Sequence, residues 1–225
     1  MTGLPHLSLY RRAAALAWVA GPLLFLADNL LHPKEYGTGE EAQQLAEIAG
    51  NYERWQVAHL LGLGAIFLFV PAVLGLAFAI RRRAPTAGLV GGALCVAGAL
   101  GFASVIALDG FAWGVAGEVW QRGDRATAEL VLHDLQQSEW GYAYYVPGLG
   151  FLAGLVVLGI SGVSSGVLSG VAGLLLGLTG VMVGLETEIH SNAFFIAGAG
   201  VMVAAGLGVA AHLWRMSDED FAGGA

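Results

Sequence analysis

The chain has 225 residues, of which 56% are hydrophobic and only 12% charged, with a mean hydropathy of +0.69. That is too apolar for a soluble domain of this length and assigns it to a bilayer. A formal net charge of −7 excludes the basic surface that nucleic-acid binding needs, and the lone cysteine, Cys95, excludes an intrachain disulfide, a CxxC redox pair and a cysteine zinc cluster.

The first apolar run, about residues 13–31, follows Arg11 and Arg12 and is long enough to cross roughly 30 Å of hydrocarbon as a helix. Phe25 would occupy position −3 of a signal cleavage after Ala27, where a small residue is required, so the run reads as a retained anchor. Gly21-Pro22 is expected to bend it. Near its far end Asp28 and His32 are four residues apart and so share a helix face. His32-Pro33-Lys34 ends the helix, and Thr38-Gly-Glu-Glu41 resembles a capping box opening a short helix. Ala42, Leu45, Ala46 and Ile48 give that helix an apolar stripe, which predicts an interfacial position on the membrane surface.

The second span, about 55–80, carries His59 one turn inside and Pro71 further on, and is closed by Arg81-Arg82-Arg83. The third, about 87–113, carries Cys95 in its middle and Asp109 near its end. A polar segment follows in which Asp124 can cap a second interfacial helix with a stripe of Ala128, Val131, Leu132 and Leu135. Trp140, Tyr142, Tyr144 and Tyr145 form an aromatic belt at the entrance to the fourth span, about 143–162. A tight turn at residues 161–166 leads to the fifth span, about 167–185, and the sixth covers about 193–213. Between these last two, Glu186, Glu188 and His190 sit at the turn of a helical hairpin, with Glu186 and His190 again at i and i+4.

The sequence therefore predicts an all-α bundle of six transmembrane helices with two outer interfacial helices, forming a single integral membrane domain over residues 1–225. Placing Arg11, Arg12, Arg81 to Arg83 and Arg215 in the cytoplasm puts both termini inside and points all three hairpins outward. Of the 17 acids only Asp218, Glu219 and Asp220 then lie inside, so the outer side is strongly acidic. The Ala, Gly, Leu and Val bias, with Lys34 the sole lysine, matches high-GC bacterial genomes and predicts a bacterial cytoplasmic membrane. Glu53, Gly62 and Gly64 recur at constant offset as Glu139, Gly148 and Gly150, an internal repeat in which His59 corresponds to Tyr145. The 35 glycines concentrate in the later spans and predict close helix packing, or contacts in a homo-oligomer.

Asp28, His32, His59, Asp109, Glu186 and His190 converge in this topology within a turn or two of the outer helix ends. Charged groups in hydrocarbon are costly and face the bundle interior, water or each other. His32, His59 and His190, with Asp28 and Glu186, are candidate ligands for a divalent metal, zinc, iron or copper. Asp109 and Glu186 are candidate acid–base groups, with or without that metal. Haem is a weaker alternative, with His59 and His190, or His32 and His59, as axial ligands. Each residue also has a plain reading as a solvated helix-end group, which His59 and Asp109 fit least because they lie further from a loop. No HExxH motif, Walker or Rossmann fingerprint, or nucleophile elbow in a strand-to-helix context is present.

The runs Glu53-Arg-Trp-Gln-Val-Ala-His59-Leu-Leu and Ala107-Leu-Asp-Gly110 resemble stretches of small, uncharacterised bacterial polytopic membrane proteins. The resemblance implies the fold and supplies no activity. The expected function is an outer-leaflet His/carboxylate site that binds metal and acts on a lipidic small molecule, with membrane lipid as its surroundings. The alternatives are a small transporter or channel, against which stands the lack of a midspan ionisable residue, and a scaffold subunit without a site.

Overall fold

The computed structural model describes residues 5–33, 41–137, 139–189 and 191–222, and among the described residues there is helix and turn but no strand. The helices are α1 (Pro5–Leu31), α2 (Glu41–Gly50), α3 (Tyr52–Ile80), α4 (Pro85–Ala107), α5 (Gly114–Gln121), α6 (Arg125–Gln137), α7 (Glu139–Ser164), α8 (Gly170–Ile189), α9 (Asn192–Arg215) and α10 (Asp218–Ala222). A π-helical turn, Leu108–Trp113, joins α4 to α5, so one continuous helical run extends from Pro85 to Gln121. Lys34, Thr38 to Glu40 and His190 lie outside the described residues, as do the side chains of Trp140, Tyr142, Tyr144, Tyr145, Glu186 and Glu188.

Among the described residues four helices are long and apolar enough to cross a membrane: His6–Leu31, Tyr52–Ile80, Pro85–Gln121 and Asn192–Arg215. The described apolar parts of α7 and α8 are shorter, Gly148–Ser164 and Gly170–Val183. Helix α1 continues through Pro22 and α3 through Pro71. In both, the missing N–H removes one rung of the ladder without ending the helix.

Glycine lets these helices touch backbone to backbone. A Cβ at Gly98 of α4 would fall on the backbone of Phe151 in α7, and one at Gly206 of α9 would fall on the Trp18 carbonyl of α1. Between α7 and α8, a Cβ at Gly159 would stand 2.6 Å from the Gly173 carbonyl. Close approach of this kind drives association where lipid tails offer no hydrophobic incentive. It accounts for Gly98, Gly159 and Gly206 as internal packing residues. Between those contacts Trp18, Phe69, Leu76, Phe151, Leu155, Leu158 and Leu176 fill the core.

One end of the bundle is basic. Arg11, buried at the start of α1, donates from Nη1 to the Leu213 and Trp214 carbonyls at 2.8 and 2.9 Å and from Nε and Nη2 to Asp218. It thereby satisfies the open carbonyls at the end of α9. Arg83 donates to the Ser165 carbonyl at 2.8 Å, tying the α3–α4 corner to the α7–α8 turn. Tyr10 and Phe78 pack edge to face, Phe221 packs tilted against both, and the Arg81 guanidinium lies over the Phe78 ring. His212 is a helix cap here: its Nε2 accepts from the Ser169 N–H at 3.1 Å, just before α8.

At the opposite end, the two amphipathic helices α2 and α6 pack on one another and on α5. Leu45, Ala116, Ala128 and Leu132 are fully buried in a second, small apolar cluster. Gln136 bonds Gln44 at 2.7 Å and His133 meets Glu41 at 3.1 Å, closing the rim between α2 and α6. The His133 contact, after a hydrogen bond to its own backbone, holds the exposed Glu41 carboxyl below its usual range. The extended third helix supplies the third apolar face of this cluster, at Ala116.

Replacing Gly98 with Ala forces α4 from α7 and is expected to cost about 1–3 kcal/mol, as overpacking does. Gly200→Ala, where a Cβ meets open space, is expected to be neutral or stabilising. Reversible unfolding in detergent micelles compares the two.

Candidate functional site

The polar end of α1, the first turns of α3 and the π-helical turn converge on one group. His32, one residue beyond α1, His59 of α3 and Asp109 of the π turn each present a ligand atom, and these atoms lie within 4.8 Å of one another. Both imidazoles are buried, and the Asp109 side chain is 27% exposed. The group therefore opens on the carboxylate side.

The ring hydrogen bonds assign the tautomers. His59 Nδ1 lies 2.7 Å from the Trp55 carbonyl one turn back, and His32 Nδ1 lies 3.2 Å from the Pro33 carbonyl. A carbonyl only accepts, so each Nδ1 carries a hydrogen and Nε2 is left as the ligating nitrogen. This backbone contact is the outer-shell arrangement that orients metal-binding histidines. Burial, the largest influence on His32, pushes its pKa down to about 4, so its ring is neutral and offers a lone pair near pH 7.

His59 Nε2 stands 3.2 Å from Asp109 Oδ2. Two ligands held at roughly 2.1 Å by a tetrahedral ion lie about 3.4 Å apart, so this pair already has the spacing of neighbouring ligands. In the ion's place a proton on Nε2 can bridge the same two atoms. Asp109 Oδ1 is buried and has no hydrogen-bond partner among the described residues. A carboxylate with one oxygen on an imidazole and the other unmet is under-satisfied for a structural ion pair.

The π turn is what brings Asp109 into place. A wide turn of this kind inserts one extra residue and commonly marks functional positions. Here Gly110 faces α3 so closely that a Cβ would fall on His59, and its carbonyl accepts from Trp55 Nε1 at 3.0 Å. The Trp55 ring centre lies 4.5 Å from that of His59 and 4.8 Å from that of His32, both tilted, and Trp55 stacks on Trp113 at 6.5 Å, so the site has an aromatic wall. Arg54 donates to the Leu31 carbonyl and fixes the end of α1 beside it.

Of the residues singled out in the sequence, the structure brings His32, His59 and Asp109 together. Asp109, expected as an acid–base group, stands at ligand distance from His59. Asp28 lies outside that group of three, its carboxyl against Gly62 of α3. His190 and the side chain of Glu186 lie outside the described residues. The His32 and His59 ring centres are 4.9 Å apart and tilted by 59°, which leaves no space for a macrocycle between them as axial ligands. Trp55, Gly62 and Gly110 were not singled out as site residues. The available signals were Trp55 one turn before His59 and a glycine directly after the only acid of the third apolar run.

The comparisons with known proteins give no match: no family model, no curated protein and no solved structure matches the chain.

Gly110→Ala is expected to push the π turn off His59 and lower stability by about 1–3 kcal/mol. The loss of Trp55–Trp113 stacking should appear as a change in tryptophan fluorescence. An unchanged spectrum would mean that the turn accommodates a methyl group without leaving α3.

Proposed function

We propose that this chain is an integral protein of a bacterial cytoplasmic membrane, with six spans and both termini inside. Its His32–His59–Asp109 group binds one divalent ion at the outer leaflet and serves chemistry on a lipidic molecule. The observation that supports the metal most directly is the pair of histidines with Nδ1 engaged by backbone carbonyls, beside a carboxylate 3.2 Å from His59 Nε2. Two imidazoles and one carboxylate suit zinc, iron or copper. Three protein ligands leave a coordination position open for a water or for a substrate oxygen. An ion there supplies Lewis acidity toward an ester or phosphoryl oxygen. Glu186 and His190 belong to this reading as sequence-based candidates for a further ligand.

The proposed orientation draws support from the arrangement of charge. Arg11, Arg83 and the end of α9 meet at one end of the bundle, and His32, His59 and Asp109 lie at the other. Arginine-rich ends tend to remain cytoplasmic, which supports an outer position for the His/Asp end.

A second reading is favoured by the same 3.2 Å contact. Without metal, His59 and Asp109 form a proton-sharing pair able to give or take a proton from a bound lipid.

Elemental analysis and zinc titration of the purified, detergent-solubilised protein separate the two. One zinc per chain is expected. Each of His32→Ala, His59→Ala and Asp109→Asn is expected to weaken binding by more than the roughly 10- to 100-fold that outer-shell changes cost. Wild-type protein that binds no zinc, iron or copper would reject the metal reading in favour of the proton pair.

A further inference from the structure

Asp28 stands one turn before His32 on α1 and faces α3 at Gly62, where a Cβ would lie 3.0 Å from its Oδ2 and 3.3 Å from its Cγ. It lies within Coulomb reach of both His59 and Asp109, yet it is not one of the three residues whose ligand atoms cluster within 4.8 Å. Its side chain is half-buried and inside a membrane-crossing helix, where a carboxylate needs a compensating charge. Among the described residues the basic groups tied to this site are His59, itself one of the three clustered residues, and Arg54, which acts on His32 and is exposed and engaged with the end of α1.

The charge account of the metal site has the complementary gap. A divalent ion held by two neutral imidazoles and the Asp109 carboxylate leaves one unit of positive charge uncompensated in a low-dielectric setting. A bound cation is the largest local charge and keeps a neighbouring carboxyl ionised. On the metal-site reading above, we infer that Asp28 is the charge-balancing carboxylate of the site: it stays off the ion, neutralises the loaded centre, and makes the site prefer divalent over monovalent cations. Gly62 is the residue that admits it. A side chain at position 62 would press on the carboxyl and move it from the site.

The test uses the full chain in detergent, titrated with Zn²⁺ and separately with Ag⁺, a monovalent ion that also binds imidazole. Asp28→Asn, which keeps the shape and removes the charge, is expected to retain one zinc per chain while lowering zinc affinity about 10- to 100-fold, with a much smaller change for silver. Gly62→Ala, which leaves the carboxylate intact but displaces it, is expected to lower the zinc-to-silver preference in the same direction and to a lesser degree. Equal weakening of both ions by Asp28→Asn would indicate a packing role and overturn the inference. So would unchanged zinc affinity, or altered ligand-field bands in the cobalt-substituted variant, which would make Asp28 a direct ligand. If wild-type protein takes up no zinc, the metal-site reading fails and this inference with it. If wild type binds and Asp28→Asn is indistinguishable from it, the inference alone fails.

Discussion

The polar end of this bundle depends on the contact between Gly110 and His59. A helix of ordinary pitch carrying any side chain at position 110 would hold the third helical run away from α3, and Asp109 would point elsewhere. The absence of a Cβ lets the π turn rest on the imidazole, and the Trp55 indole bonds the Gly110 carbonyl from the same side. One side chain thus orients the turn while its own backbone carbonyl holds the His59 ring. The carboxylate and the imidazole are positioned by a shared set of contacts, and neither can move without loosening the other.

The small cap of α2, α5 and α6 rests on this end and has its own apolar cluster, separate from the main core. Gly117 of α5 sits against Ile48 of α2, and Gln121 bonds the Ala49 carbonyl. Tyr52, at the start of α3, donates to Glu118 of α5, so the cap is fastened to the helix that bears His59. Extending the third helix through Gln121 serves two ends: it carries the π turn to the site and supplies the post on which the amphipathic helices assemble.

Much of the helical framework is legible in the sequence because apolar length and arginine placement report on the solvent directly. The grouping of His32, His59 and Asp109 at one depth follows from the same reasoning, since polar residues inside long apolar runs must find one another. The π turn could not be read. Leu108 to Trp113 has ordinary helical periodicity, and the wider winding arises from how Gly110 fits against a residue 51 positions earlier in the chain. The i to i+4 spacing of Asp28 and His32 predicts a shared helix face, and the helical ladder reaches that far, with the His32 N–H donating to the Asp28 carbonyl at 2.8 Å. What the spacing does not show is where each side chain rests: the His32 ring packs on Trp55 and His59, and the Asp28 carboxyl lies against Gly62 of α3. The amphipathic stripes of α2 and α6 showed which residues seek burial but not whether lipid or protein would cover them.

The Arg11 clamp joins the first helix to the last. Helix α1 packs on α3 and on α9, and its buried guanidinium has its carbonyl and carboxylate partners at the far terminus of the chain. During synthesis that cation enters the membrane boundary long before Leu213, Trp214 and Asp218 exist. Until they emerge, water or lipid phosphate must solvate it, and α1 has one flank open to hydrocarbon. The seam between α1 and α9 can therefore close only after some two hundred further residues have been made.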